Sequence, residues 1–196
     1  NIKSVVTVPI YEKETLIGFI GLDIIVSSPA WSEAHLQLLD IIANQLADSW
    51  VKNKHEQEIH YMAYYDQLTG LPNRTLFADR LNQAIHLAQA SKSLIGVVLI
   101  DLDSFKAVND TVGHNAGDFI IQKVGQGLVD HLQTGDTVAR FGGDEFLLLL
   151  DNIDRTEDIT ARADKFMQLF EKPFIVNEQE FFLTCSAGIA VYPYDG

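Results

Sequence analysis

Arg140-Phe141-Gly142-Gly143-Asp144-Glu145-Phe146, running straight into four leucines, is the stretch that most restricts the folds open to this chain. Two adjacent glycines between the strand-like runs 137–141 and 146–150 predict a tight β-hairpin turn, because only glycine takes positive φ without steric cost. A plain hairpin does not account for the two carboxylates directly after the turn. Held that close, they repel and raise each other's pKa unless a cation sits between them. A second acidic pair, Asp101-Leu102-Asp103, closes the apolar run 94–100. If the two runs are neighbouring strands of one sheet, their carboxylates can converge on one divalent ion.

Taken in order, the runs 5–10 and 16–25 predict two strands joined by the short polar connection 11–15. Ser27-Ser28-Pro29-Ala30 ends the second run. Ser32 is a suitable N-cap, and Glu33 suits the positive end of the helix dipole. Leu36, Leu39, Ile42, Leu46 and Trp50 then recur at helical spacing, and the helix continues through polar residues 52–58 to Ala63. It is read either as a signal-carrying linker or as a passive amphipathic helix.

Residues 66–74 form a polar loop with glycine and proline, in which Asp66 and Arg74 are expected to make a structural ion pair. A helix over 75–91 presents Phe77, Leu81, Ile85 and Ala88, and the aliphatic run 94–100 reads as a strand buried on both faces. A short helix carries Phe105, Lys106 and Asn109. Helices over 118–132 and about 157–170 and strands at 174–176 and 180–191 follow. The order β, α, β, β, α, β is that of the ferredoxin-like palm, so the fold class is α+β.

Twenty-seven acidic residues against fourteen basic ones give a net charge of -13, which leaves no electrostatic footprint for nucleic acid. An anionic substrate requires local neutralisation, which the carboxylate pairs can supply through a metal. The single cysteine, Cys185, lies in a strand-like run and reads as a packing residue; with no disulfide available, a cytoplasmic setting is expected. No apolar stretch approaches the roughly 20 residues of a membrane helix, and no signal-peptide pattern is present. Both ends fall within patterned sequence, which leaves membrane or sensory segments outside this stretch open.

Gly142-Gly143-Asp144-Glu145-Phe146 resembles the signature of the GGDEF family, the diguanylate cyclases. Asp66-Gln67-Leu68-Thr69-Gly70-Leu71-Pro72-Asn73-Arg74 resembles the family's opening motif. Asp101 to Lys106 with Asn109, Asp110, Gly113 and His114 resembles its nucleotide motif, and Ser186-Ala187-Gly188-Ile189-Ala190 its last core strand. The hairpin pattern, the Trp31-Ser32-Glu33 start and the long helix resemble the C-terminal half of a GAF sensory domain over residues 1 to about 47. On this reading 1–47 is the GAF-like α/β part, 48–65 a connecting helix, and 66–196 a nucleotide-cyclase-like GGDEF domain without its final helix.

The resemblance implies that two GTP molecules are joined into cyclic di-GMP with release of pyrophosphate, each 3′-hydroxyl attacking the other's α-phosphorus across a homodimer. The implied cofactor is Mg²⁺ or Mn²⁺, held by Asp101, the Leu102 carbonyl, Asp144 and Glu145. Asp144, supported by Glu145, would help deprotonate the hydroxyl, and Lys106 would contact phosphates. Asn109 and Asp118 would read guanine, with Gly142, Gly143, Phe105 and His114 around the nucleotide. Each has a plainer reading: Asp101 as a helix cap, Asn109 and Asp118 as loop or helix caps, Lys106 as a solvated lysine, His114 as a loop hydrogen-bonder, and the glycines as turn geometry alone.

Where many family members carry an Arg-x-x-Asp product-inhibition site, this chain reads Gln133-Thr134-Gly135-Asp136. The arginine is missing, so feedback inhibition there is not expected. The segment 147–196, with Phe170-Glu171-Lys172-Pro173-Phe174 and Tyr192-Pro193-Tyr194-Asp195-Gly196, looks most like that of GGDEF domains followed by an EAL phosphodiesterase domain. A rival reading is therefore a GTP-binding regulator of such a partner domain. A small-molecule ligand of the GAF-like part is the remaining implied partner.

Overall fold

The computed structural model describes residues 2, 4–24, 31–176 and 179–195, and the chain forms two compact units, Asn1–Tyr61 and Met62–Gly196. In the first unit, β1 (Ser4–Glu12) and β2 (Thr15–Ile24) pair antiparallel with Val8 opposite Ile20. The strands extend further than the sequence pattern predicts, so the turn is only Lys13-Glu14, with Lys13 at φ 55°. Ile25 and the predicted terminator 27–30 lie outside the described residues.

Helix α1 (Glu33–Tyr64) begins at the expected cap, where Ser32 Oγ accepts from the His35 amide at 3.3 Å. Its packed face differs from the predicted stripe. Leu39, Ala43 and Ala47 are buried, whereas Leu36, Leu46 and Trp50 are exposed. The small core formed by Val8, Leu39 and Ala43 explains the rotation: alanines let the helix approach a narrow two-stranded sheet that has no width to cover larger side chains. No described helix is long and apolar enough to cross a membrane.

The second unit is built on one antiparallel sheet of order β4-β5-β3-β8. Its strands are β3 (Leu94–Leu102), β4 (Thr137–Gly142), β5 (Glu145–Ile153) and β8 (Cys185–Tyr192). With α2 (Arg74–Ser91), α3 (Phe105–Val112), α4 (His114–Asp130) and α5 (Thr156–Met167), this is the expected palm. A 3-10 turn at Gln168–Glu171 and a small hairpin of β6 (Phe174–Val176) and β7 (Gln179–Phe181) complete it. The predicted strand 180–191 is thus two strands, because residues 182–184 leave the ladder between β7 and β8.

Alternation along β3 separates two cores. Val98, Ile100 and Leu102 join Phe146, Leu148 and Leu150 beneath Ile120, Val124 and Phe166 of α4 and α5. On the other face Ile95 and Leu149 pack with Phe77, Ala84 and Ala88 of α2. Leu99 is 38% exposed, so β3 is not buried on both faces along its whole length. The last odd positions of β3 therefore face an open end of the sheet, and Asp101 is the next of them.

Candidate active site

The β3–β5 register places Asp101 directly opposite Glu145, and Ile100 opposite Phe146. Residues paired across an antiparallel ladder share a face, with Cβ atoms roughly 5 Å apart. The two acidic side chains therefore leave the sheet as cross-strand neighbours at its end, half-buried, on the face that α2 covers further along. Asp144 sits in the turn, and its carbonyl accepts a hydrogen bond from the Leu102 amide at 3.3 Å, which ties the turn to the end of β3.

The turn itself is displaced by one residue from the expected pair. Gly142 continues β4 and pairs with Glu145, leaving Gly143-Asp144 as the two loop residues. Gly143 at φ 53° takes the left-handed conformation that begins such a turn. Asp144 is thus a loop residue and Glu145 a strand residue, which releases the two from pointing to opposite faces as consecutive strand residues would.

Arg140 opens the signature stretch but has no role assigned from the sequence, and it holds this turn. Its Nε and Nη2 donate to the Gly143 carbonyl at 3.0 and 2.7 Å, and its Nη1 lies 3.1 Å from Asp66 Oδ1. The expected Asp66–Arg74 pair is therefore corrected to Asp66–Arg140. Arg74 turns away to lie over the Phe141 ring, 5.0 Å from its centroid. Burial works to raise the Asp66 carboxyl, but hydrogen bonds from the Thr69 hydroxyl and amide and from Arg140 outweigh it and hold it below the ordinary carboxylate value. The loop is closed by a Tyr65–Pro72 bridge and by Asn73, whose side chain caps α2.

Asp103, the other half of the acidic pair, is already engaged. It accepts from the hydroxyls of Thr184 and Ser186, each at 2.7 Å, and these bonds, Thr184 first, hold its carboxyl below the usual range. It fastens the loop after β3 to the start of β8. Beside it, burial and the Asp103 charge push the Cys185 thiol up to about 11, which agrees with the packing role expected of it.

On α3, Phe105 is buried in the main core, Lys106 is exposed, and Asn109 is half-buried. His114 and Asp118 are exposed in the first turns of α4. Helices α3 and α4 meet at Gly113 (φ 83°), whose amide donates to the Asn109 carbonyl at 2.8 Å. Asn109 lies against Gly117, immediately before Asp118. Among the described residues no three or more His, Cys, Asp or Glu side chains are gathered to hold a metal by themselves. A hard divalent ion needs only one or two carboxylates when phosphates and water complete its shell, and the Asp101–Glu145 pair beside Asp144 fits that chemistry.

At the position of the product-inhibition motif, Asp136 is fully buried at its side chain. It accepts from the Arg162 guanidinium and from the amides of Gln133 and Asp151. The cation on Asp136 is supplied from α5, by Arg162.

Residues 63–196 match the family profile described as "Diguanylate cyclase, GGDEF domain". The chain is 40% identical over 140 residues to the bifunctional diguanylate cyclase/cyclic di-GMP phosphodiesterase MucR of Pseudomonas aeruginosa, covering 71% of this chain and 20% of that protein. It is 37% identical to the cyclic di-GMP phosphodiesterase PdeR of Escherichia coli, covering 72% of this chain and 21% of PdeR. The chain thus spans about a fifth of the length of these relatives. The solved GGDEF domain of TpbB from Pseudomonas aeruginosa superposes with a TM-score of 0.64 at 35% identity, over 66% of this chain and 76% of that one.

Proposed function

This chain belongs to the diguanylate cyclase GGDEF family, and we propose that its second unit binds GTP at the Asp101–Glu145 end of the sheet and makes cyclic di-GMP. The observation that carries this reading is the cross-strand placement of Asp101 against Glu145, with the Asp144 turn hydrogen-bonded to Leu102. The two acidic residues are cross-strand neighbours there, and among the described residues neither forms an ion pair with a cationic side chain.

A divalent ion, Mg²⁺ or Mn²⁺, would neutralise triphosphate charge and lower the pKa of the attacking hydroxyl when bound. Asp101, Glu145, Asp144 and the Leu102 carbonyl are the groups that would hold it. Lys106, exposed on α3, would meet phosphate oxygens. Gly142 and Gly143 carry no side chain to keep the nucleotide from the backbone: no atom lies within 4 Å of an added Cβ at either position. The 3′-hydroxyl proton would pass to Asp144 as the oxygen bonds to the α-phosphorus of the second GTP and pyrophosphate leaves with the bond it breaks. Two such steps close the ring, so two copies of the unit must face each other, and the protein's contribution is alignment.

For the base, Asp118 offers a carboxylate acceptor to N1-H and the exocyclic amine of guanine, and Asn109 an amide to the O6 edge. Adenine would leave these groups unpaired. His114 and Phe105 stand at the edges of this surface, His114 exposed and Phe105 as a buried wall. Control would come from the first unit, read as the GAF-like part (1–47) with the connecting helix (48–65), acting in a cytoplasmic setting on a small-molecule signal.

A second reading is favoured by the relatives' names: PdeR is a cyclic di-GMP phosphodiesterase and MucR is bifunctional. In it the unit binds GTP and regulates a neighbouring EAL domain. Incubation of the chain with GTP and Mg²⁺ separates the two. Cyclic di-GMP with pyrophosphate supports the cyclase; saturable GTP binding without product supports the regulator. Neither binding nor product overturns both.

A further inference from the structure

An ideal Cβ built on Gly117 would lie 1.8 Å from Asn109 Oδ1, 2.9 Å from its Cγ and 3.3 Å from Phe105 Cζ. The first distance is far inside any real contact and the second just short of one, so the Asn109 carboxamide occupies the volume that a side chain at 117 would need. Gly117 is buried and helical, with its amide donating to the Gly113 carbonyl at 3.1 Å. Left-handed geometry is therefore not why glycine stands there; the requirement is space. Phe105, itself buried, closes the far side of that space. Oδ1 is the amide atom lodged over Gly117, which leaves Nδ2 as the donor end of the carboxamide, and Asp118 is the next residue of the helix.

Building on the GTP-binding reading above, we propose that Gly117 is a specificity-positioning residue: its missing side chain seats the Asn109 carboxamide so that a donor faces the O6 edge of guanine beside the Asp118 acceptor. A methyl at 117 displaces the carboxamide, and the pocket keeps Asp118 but loses the donor that distinguishes a 6-oxo from a 6-amino purine. The role runs through Asn109, so substitutions at the two positions are not independent.

The test is equilibrium binding of GTP and of ATP, each with Mg²⁺, to the wild-type chain and to Gly117→Ala, Asn109→Ala and the double variant, with thermal unfolding alongside. The wild type is expected to prefer GTP. Gly117→Ala is expected to cut that preference about tenfold, the loss of one well-placed hydrogen bond, with a lowered melting temperature. Asn109→Ala is expected to cut it similarly. The double variant, relieved of the clash, is expected to recover melting temperature relative to Gly117→Ala and to show the same preference as Asn109→Ala. Recovery of melting temperature in the double variant shows that the methyl at 117 acts on the Asn109 carboxamide, and its absence overturns the proposal even if Gly117→Ala alone does not fold.

An unchanged GTP preference in Gly117→Ala with only its stability lowered overturns the proposal, as does a further drop in the double variant below Asn109→Ala. In either case a wild type that still prefers GTP leaves the cyclase reading standing. A wild type that shows no preference for GTP overturns both.

Discussion

Arg140 and Asp66, 74 residues apart, form one ion pair, with Nη1 3.1 Å from Oδ1 and 3.2 Å from Oδ2. The same guanidinium grips the Gly143 carbonyl, so the opening loop and the turn that carries Asp144 are held by one side chain.

Breaking that clamp is expected to cost stability in a pH-dependent way. Asp66→Asn should destabilise the second unit by about 2 kcal/mol at neutral pH, the range for a hydrogen bond to a charged group. Because the folded-state pKa of Asp66 lies below its unfolded value, its contribution is complete above the unfolded value and disappears as pH falls through the folded one. Melting curves of wild type and Asp66→Asn should therefore converge on acidification below 3.8. A gap that persists in acid would mean that the charge is not what matters.

The two aspartates at the end of β3 should separate in function. Asp101→Asn is expected to lower GTP turnover on the order of a hundredfold and to raise the Mg²⁺ needed. Asp103 is held by Thr184 and Ser186, and Asp103→Asn should stay within about tenfold with an unchanged Mg²⁺ requirement. Turnover measured across a Mg²⁺ titration distinguishes them; equal shifts would refute the assignment.

Asp136 should behave as a structural anion. Its carboxylate is fully buried against Arg162 and two backbone amides, so Arg162→Ala strands a buried charge and should cost about 3–5 kcal/mol by denaturant unfolding. Added cyclic di-GMP should leave wild-type turnover unaffected through this position. Inhibition that Asp136→Asn abolishes without unfolding would contradict this.

Gly96 on β3 faces α5, and a Cβ there would lie 2.8 Å from Ile159 Cγ2. Gly96→Ala should destabilise by about 1–3 kcal/mol through overpacking. Combined with Ile159→Ala the loss should be less than additive, as a double-mutant cycle of melting free energies will show.

Much of this was legible in the order of residues because it is local. The aliphatic run of β3, the Ser32 cap and the glycine pair act within a few positions, so periodicity and turn chemistry identify them wherever they sit. The approach of Asp101 to the signature turn was foreseeable only on the condition that the two strands are neighbours in one sheet, which the β3–β5 pairing meets. The packed face of α1 was misjudged because its sheet is too narrow to bury the large residues of the predicted stripe.

The partners were decided by tertiary structure. Thr69, Arg140 and Arg162 have no role assigned from the sequence, and the contact of Asn109 with Gly117 is not foreseen by it. What gives them roles is the sheet order β4-β5-β3-β8 and the fold of α3 on α4, which bring a turn beside a loop 74 residues away and a carboxamide over a glycine. A side chain's alphabet letter states which bonds it can make; only the folded backbone, by excluding every other occupant from a few cubic ångströms, states with whom.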